Sequence, residues 1–132
     1  MTRKVAVVGS TSFPINAVIC AQIVDVIRGF EGEVLFLTRG RTTGLDAFIA
    51  IASIGLGHRC FGYPGKGGGD NLARDQELVD DCDEMLAFFD PASLEYQRQT
   101  GTAMIVQRAL ASNKPVRVAT VAAQAVLVWA DS

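Results

Sequence analysis

Five short runs of apolar and β-branched residues recur along the chain, and the stretches between them read as helices. The runs are residues 4–8 (KVAVV), 33–37 (EVLFL), 58–61 (HRCF), 84–89 (EMLAFF) and 115–121 (PVRVATV). They begin 25 to 31 residues apart, which leaves room for one helix and its two loops each time. Runs without strict polar alternation are the pattern of strands covered on both faces. Parallel neighbours need a crossover, and a helix is the usual one. The expected fold is therefore α/β. It is a Rossmann-like three-layer α/β/α arrangement with a mostly parallel five- or six-stranded sheet, the sixth strand coming from residues 126–129. A chain of 132 residues fits one such domain, spanning 1–132.

The helical stretches differ in character. Ile15, Val18, Ile19, Ile23, Val26, Ile27 and Phe30 repeat at helical spacing. They predict an amphipathic helix to about Arg28, with Ser12 as its N-cap and Gly29 near its end. Residues 45–56 are apolar around most of the circumference, which predicts a well-buried helix. Residues 71–81 form a more polar helix and residues 102–111 a fourth.

Composition narrows the function classes. Hydrophobic content of 49% with 20% charged is globular rather than disordered. A net charge of −2 argues against a nucleic-acid partner held by bulk electrostatics. Cys20, Cys60 and Cys82 are odd in number and form no C-x-x-C pair, so neither a disulfide framework nor a zinc site is expected. Unpaired cysteines fit a reducing cytoplasm. The apolar run after Arg3 and Lys4 is too short for a signal segment, and no stretch approaches the roughly 20 apolar residues of a membrane helix.

In a parallel sheet, ligands bind at the carboxyl ends of the strands. The loops there are residues 9–13, 38–44, 62–70 and 90–101. Arg39, Arg41, Lys66, Arg74 and Arg98, five of the twelve basic residues, lie in or just beyond them. Ser10, Thr11, Ser12, Thr42, Thr43, Thr100 and Thr102 add hydroxyls, and helix N-termini add N–H groups and partial positive charge. This rim suits an anion, above all a phosphate. Two standard phosphate loops are absent. "GSTSFP" lacks G-x-G-x-x-G, and in "YPGKGGG" Gly67, not Ser or Thr, follows Lys66.

Taken in order, "VAVVGSTSF", "LTRGRTTGLDAFIAIAS", "NLARDQELVDDCDEMLAFFDP" and "TGTAMIVQRALASNKPV" resemble the SLOG superfamily. This is the Rossmann-like group of the DNA-processing protein A and LOG families, which includes small single-domain members. The likeness covers about residues 4–120. It implies a nucleotide or phosphate contact from Gly9 and Ser10, from Gly40, Gly44 and Asp46, and from Gly101 and Thr102. Arg74-Asp75 stands where many relatives have Arg-Asn. LOG-type phosphoribohydrolases and nucleoside 2-deoxyribosyltransferases, more distantly similar, carry a glutamate soon after Gly-Thr. Here Ala103, Met104, Ile105 and Val106 follow instead. Cleaving an N-glycosidic bond needs a group that stabilises oxocarbenium-like charge or activates water. Ile105 can do neither.

Substitute acids exist. Asp46 could read a sugar or base, orient an arginine or act in catalysis; as a first-turn aspartate it is also what a helix dipole favours. Asp90 is the second catalytic candidate, although Asp-Pro is an ordinary turn, and Glu95 shares its loop. Residues 80–84 (DDCDE) read as a solvated acidic turn, away from the rim. His58, the only histidine, begins a strand at the same far end. Tyr63 and Tyr96 are loop aromatics that could stack on a base or pack locally, and Trp129 reads as packing or an oligomer contact.

The expected function is thus binding of a nucleotide-like small molecule by Gly9, Ser10, Thr11, Arg39, Gly40, Arg41, Gly44, Asp46, Arg74, Gly101 and Thr102, with no cofactor and no metal. The alternatives are an N-glycosidic hydrolase or transferase using a displaced carboxylate, and an interaction protein. The expected partners are the ligand and further copies of the chain. No membrane association is expected, and nucleic acid is disfavoured.

Overall fold

The computed structural model describes residues 1–10, 12–64, 71–90, 101–122 and 126–131. The elements run β1 (Arg3–Gly9), α1 (Ala17–Arg28), β2 (Val34–Thr38), α2 (Gly44–Gly55), β3 (Arg59–Gly62), α3 (Leu72–Asp81), β4 (Glu84–Phe89), α4 (Thr102–Ala111), β5 (Val116–Ala122) and β6 (Val126–Asp131). One six-stranded sheet has the order β3-β2-β1-β4-β5-β6. Its first five strands pair in parallel, and β6 joins β5 antiparallel at the edge. The expected α/β, Rossmann-like layered architecture is what forms, with six strands.

The period-two geometry of β1 divides the core. Val5 and Val7 face α1 and α2, packing with Ile19, Ile23, Ile27 and Ile49. Ala6 and Val8 face α3 and α4, packing with Leu78, Val79, Ile105 and Ala109. Both faces of the central strand are therefore sealed. Burying each large aliphatic side chain contributes about 2 kcal/mol. The chain reverses its winding direction between β1 and β4, so their carboxyl ends flank the switch-point crevice.

Three expectations are corrected. The cap of α1 is Asn16, whose Oδ1 accepts from Ile19 N–H at 3.0 Å. Ser12 instead donates to Asp90 at 2.9 Å. Asparagine is at least as good a cap as serine, and it stands where the chain is already extended. The acidic turn at 80–84 is not merely solvated. Asp83 accepts from Lys4 N–H at 2.8 Å and returns its own N–H to the Lys4 carbonyl, while Asp81 accepts from the Tyr63 hydroxyl. Finally, α2 is buried on one side only: Ile51 is 73% exposed and Ile54 62%. Its apolar circumference is wider than the sheet can cover.

The edges of the sheet are guarded differently. β3 is four residues long. On β6, the Leu127 N–H is taken up by Gln22 Oε1 of α1 at 2.8 Å.

Burial sets an alkaline limit to stability. Cys82 is fully buried, and its thiol is pushed up to about 11, chiefly by desolvation, with the Lys114 ammonium pulling the other way. Burial, and then the bond to Asp81, also hold the Tyr63 phenol well above its usual range. Both groups ionise earlier in the unfolded chain, which removes stability as pH rises. Urea unfolding should be nearly level up to about pH 8.5, then lose about 2 kcal/mol through Cys82 alone by pH 11. Cys82→Ala should flatten that slope; an unchanged slope would refute the assignment.

Candidate functional site

Gly9 ends β1 against two neighbours. An added Cβ would lie 2.4 Å from Leu45 Cδ2 of α2 and 3.3 Å from the Phe88 carbonyl of β4. A side chain here would displace the Leu45 side chain and crowd the Phe88 carbonyl, so glycine lets the first turn of α2 close over the strand end. Ser10 continues the ladder by donating its N–H to the Phe88 carbonyl at 3.0 Å. Its hydroxyl accepts from Asp90 N–H at 3.4 Å. The crevice between β1 and β4 is thus bounded by Ser10, Ser12 and Asp90.

The residues after β2 cross this crevice. Arg39 is 3% exposed, and its Nη2 donates both to the Gly9 carbonyl and to Thr102 Oγ1, the latter at 2.9 Å. Arg39 therefore ties β1 to the first turn of α4 from inside. Gly40, at φ 76°, brings its backbone against the end of β3. A Cβ on Gly62 would stand 2.7 Å from Gly40 Cα. The sequence pattern singled out Gly40 and missed Gly62, whose constraint comes from a neighbour 22 positions away.

Arg41 is half-buried and donates from Nη1 to the same Gly9 carbonyl at 3.3 Å. Its backbone N–H goes to Asp46 Oδ2 at 3.1 Å. Among the described residues, no carboxylate oxygen lies within 4.0 Å of the Arg41 guanidinium. Asp46 is 3% exposed, and its carboxylate closes the loop that begins α2. Thr43 caps α2 by position but makes no side-chain cap bond, and Gly44 turns at φ 67°. Ser10, Arg41, Thr43, Gly44, Leu45 and Asp46 line a cleft of about 70 Å³. That is several times the space one water requires.

The other expected residues are placed apart. Arg74, on α3, is paired with its neighbour Asp75 at 3.0 Å, and both side chains are largely buried. Gly101 begins α4 at φ 56°. The Thr102 hydroxyl is fully buried and spent on Arg39. Ile105 is fully buried in the core against α3, so that position points into packing. Thr11, Lys66, Glu95, Tyr96, Arg98 and Thr100 lie outside the described residues. His58 packs edge-on against Phe36 at 5.6 Å. The Cys20 and Cys60 thiols are raised by desolvation, so neither is activated. Among the described residues no group of His, Cys, Asp and Glu could hold a metal ion, and no helix is long and apolar enough to cross a membrane.

Compared with known proteins, the chain matches no family model and no curated protein.

The Arg39 cross-link makes a stability prediction. Thr102→Val keeps shape but removes the acceptor of a charged donor, which should cost about 2 kcal/mol, or roughly 6–10 °C in Tm. Arg39→Met should cost more. A double-mutant cycle should show the two effects strongly non-additive. Additive losses would mean that the bond carries no energy.

Proposed function

We propose that this chain binds a nucleotide, or a phosphate ligand derived from one, over the carboxyl ends of β1, β2 and β4. The observation that carries the reading is the meeting of two guanidinium groups, Arg39 and Arg41, on the single carbonyl of Gly9. Arg41, with no carboxylate oxygen within 4.0 Å among the described residues, brings positive charge to the cleft, and a bound anion offsets it. Arg41 opens to the cleft beside the first turn of α2, whose N–H groups and dipole add to the attraction. The nearby Asp46 carboxylate repels a phosphate but accepts from a hydroxyl. The pair therefore suits a sugar phosphate with the phosphate towards Arg41 and Thr43. The strand order and the resemblance to the SLOG superfamily support a nucleotide; that part rests on likeness of fold.

The burial of Ile105 favours binding without turnover. An acid at that helix position would sit in an apolar core rather than beside a sugar. The second reading, N-glycosidic cleavage, would use Asp90, which stands in the crevice with Ser12 on its carboxylate.

Native mass spectrometry with a panel of mono-, di- and cyclic nucleotides tests both. An intact adduct is expected, displaced by excess inorganic phosphate. Arg41→Ala should weaken it roughly 10–100-fold, the effect of one charge-assisted hydrogen bond, without lowering Tm. Release of free base, abolished by Asp90→Asn, would replace the binding reading with the enzymatic one. Absence of any adduct would refute both.

A further inference from the structure

We propose that a cavity at the amino end of the sheet binds a free α-amino acid with an apolar side chain. The cavity, of about 270 Å³, is lined by Arg3, Asp25, Val26, Gly29, Phe30 and Arg117. Arg3 is the first residue of β1 and Arg117 lies early in β5, while the last turn of α1 and the two residues after it supply the rest. Gly9, at the rim, is six residues further along β1 than Arg3, roughly 20 Å away. The cavity therefore stands apart from the nucleotide site proposed above. It has room for several waters and is just under the roughly 300 Å³ at which pockets for drug-sized ligands begin, so it suits a smaller molecule.

The sheet side of the cavity is positive. The Arg3 guanidinium lies over the Phe30 ring, 4.8 Å from its centroid, and donates from Nε and Nη2 to the Glu84 carboxylate at 2.6 and 2.9 Å. Glu84 thus neutralises Arg3. Arg117 lies over the Trp129 ring at 4.9 Å. Asp131 is its cross-strand partner, yet among the described residues no carboxylate oxygen lies within 4.0 Å of Arg117. Stacking on an aromatic face orients a guanidinium and leaves its charge and its donors in place. Arg117 brings a positioned cation to the cavity.

The α1 side is negative. Asp25 lines it, and the neighbouring Arg28 lies at 3.8 Å with both side chains mostly exposed, so solvent weakens that pair. The carboxyl end of α1 adds partial negative charge. A simple anion is drawn by Arg117 and repelled by this side, and a simple cation meets the reverse. A molecule that carries both signs is attracted by both. In an α-amino acid the carboxylate takes the Arg117 guanidinium, the ammonium takes Asp25, and the side chain covers Val26 and the buried Phe30.

Titration of the full chain with L-leucine at low salt, followed by backbone amide NMR shifts, tests the proposal. Saturable shifts are expected at Val26, Gly29, Phe30 and Arg117, with a dissociation constant on the order of 0.1–1 mM. Arg117→Gln should weaken binding at least about 10-fold through loss of a charge-assisted hydrogen bond, and Asp25→Asn roughly 3–10-fold. Both side chains are exposed, so both variants should stay folded. N-acetyl-leucine, which lacks the ammonium, and leucinamide, which lacks the carboxylate, should each bind at least about 10-fold more weakly than leucine. No saturable shift up to about 20 mM overturns the proposal, as does binding that resists both variants. Equal affinity for N-acetyl-leucine would make the cavity a plain anion site, and equal affinity for leucinamide a plain cation site; either result overturns it as well.

Discussion

The guanidinium of Arg39 is the interaction on which the rest of the rim depends. It sits just after β2, yet its hydrogen bonds are to the last residue of β1 and the first residue of α4. Gly9 packs under α2, and α4 lies on the opposite side of the sheet, so one side chain links the two helical layers across the strand ends. A buried cation needs hydrogen-bond acceptors, and Nη2 of Arg39 takes two. That requirement aims the Gly9 carbonyl and commits the Thr102 hydroxyl. It also forces the chain beyond Arg39 to turn at once, through Gly40, towards α2.

Close packing of backbone sets the remaining shape. Gly40 against Gly62 is a backbone contact in which a single methyl group has no room, and at Gly9 a methyl group would displace the Leu45 side chain. They bring three strand ends near enough for one short loop, residues 39–43, to wall the cleft. Asp46 then fastens that loop to α2 through the Arg41 N–H. The cleft is thus a by-product of tight joints, which explains its small volume.

The strands and helices were legible because their signals are local. A β-branched run, an apolar stripe or a Gly-Thr helix start can be read within ten residues, and β4 and α4 fall where the pattern put them. The site was legible as a set of loops but not as a set of roles. Nothing beside Arg39 in the sequence distinguishes it from Arg41, yet one is buried and the other opens to the cleft. That difference arises from Gly9 and Thr102, 30 and 63 positions away. Gly62 was invisible for the same reason. Conversely, the apolar circumference of α2 predicted a well-buried helix, and the chain leaves Ile51 and Ile54 exposed, because one sheet face covers only one side of a helix.

Placement also changes the electrostatic count of the rim. Read from the sequence, its cations look numerous. Among the described residues, Arg39 is enclosed, Arg74 is matched by Asp75, and only Arg41 combines access to the cleft with the absence of a carboxylate within 4.0 Å. One accessible guanidinium beside one helix N-terminus balances about one phosphate group. Among the described residues that line the cleft, a second phosphate would meet Asp46 and no further cation. Discrimination among ligands would then fall to a group that accepts rather than donates, the Asp46 carboxylate in the lining of the cleft. On the proposed reading, a ligand with one phosphate and hydroxyl or amino donors would suit the described part of this rim.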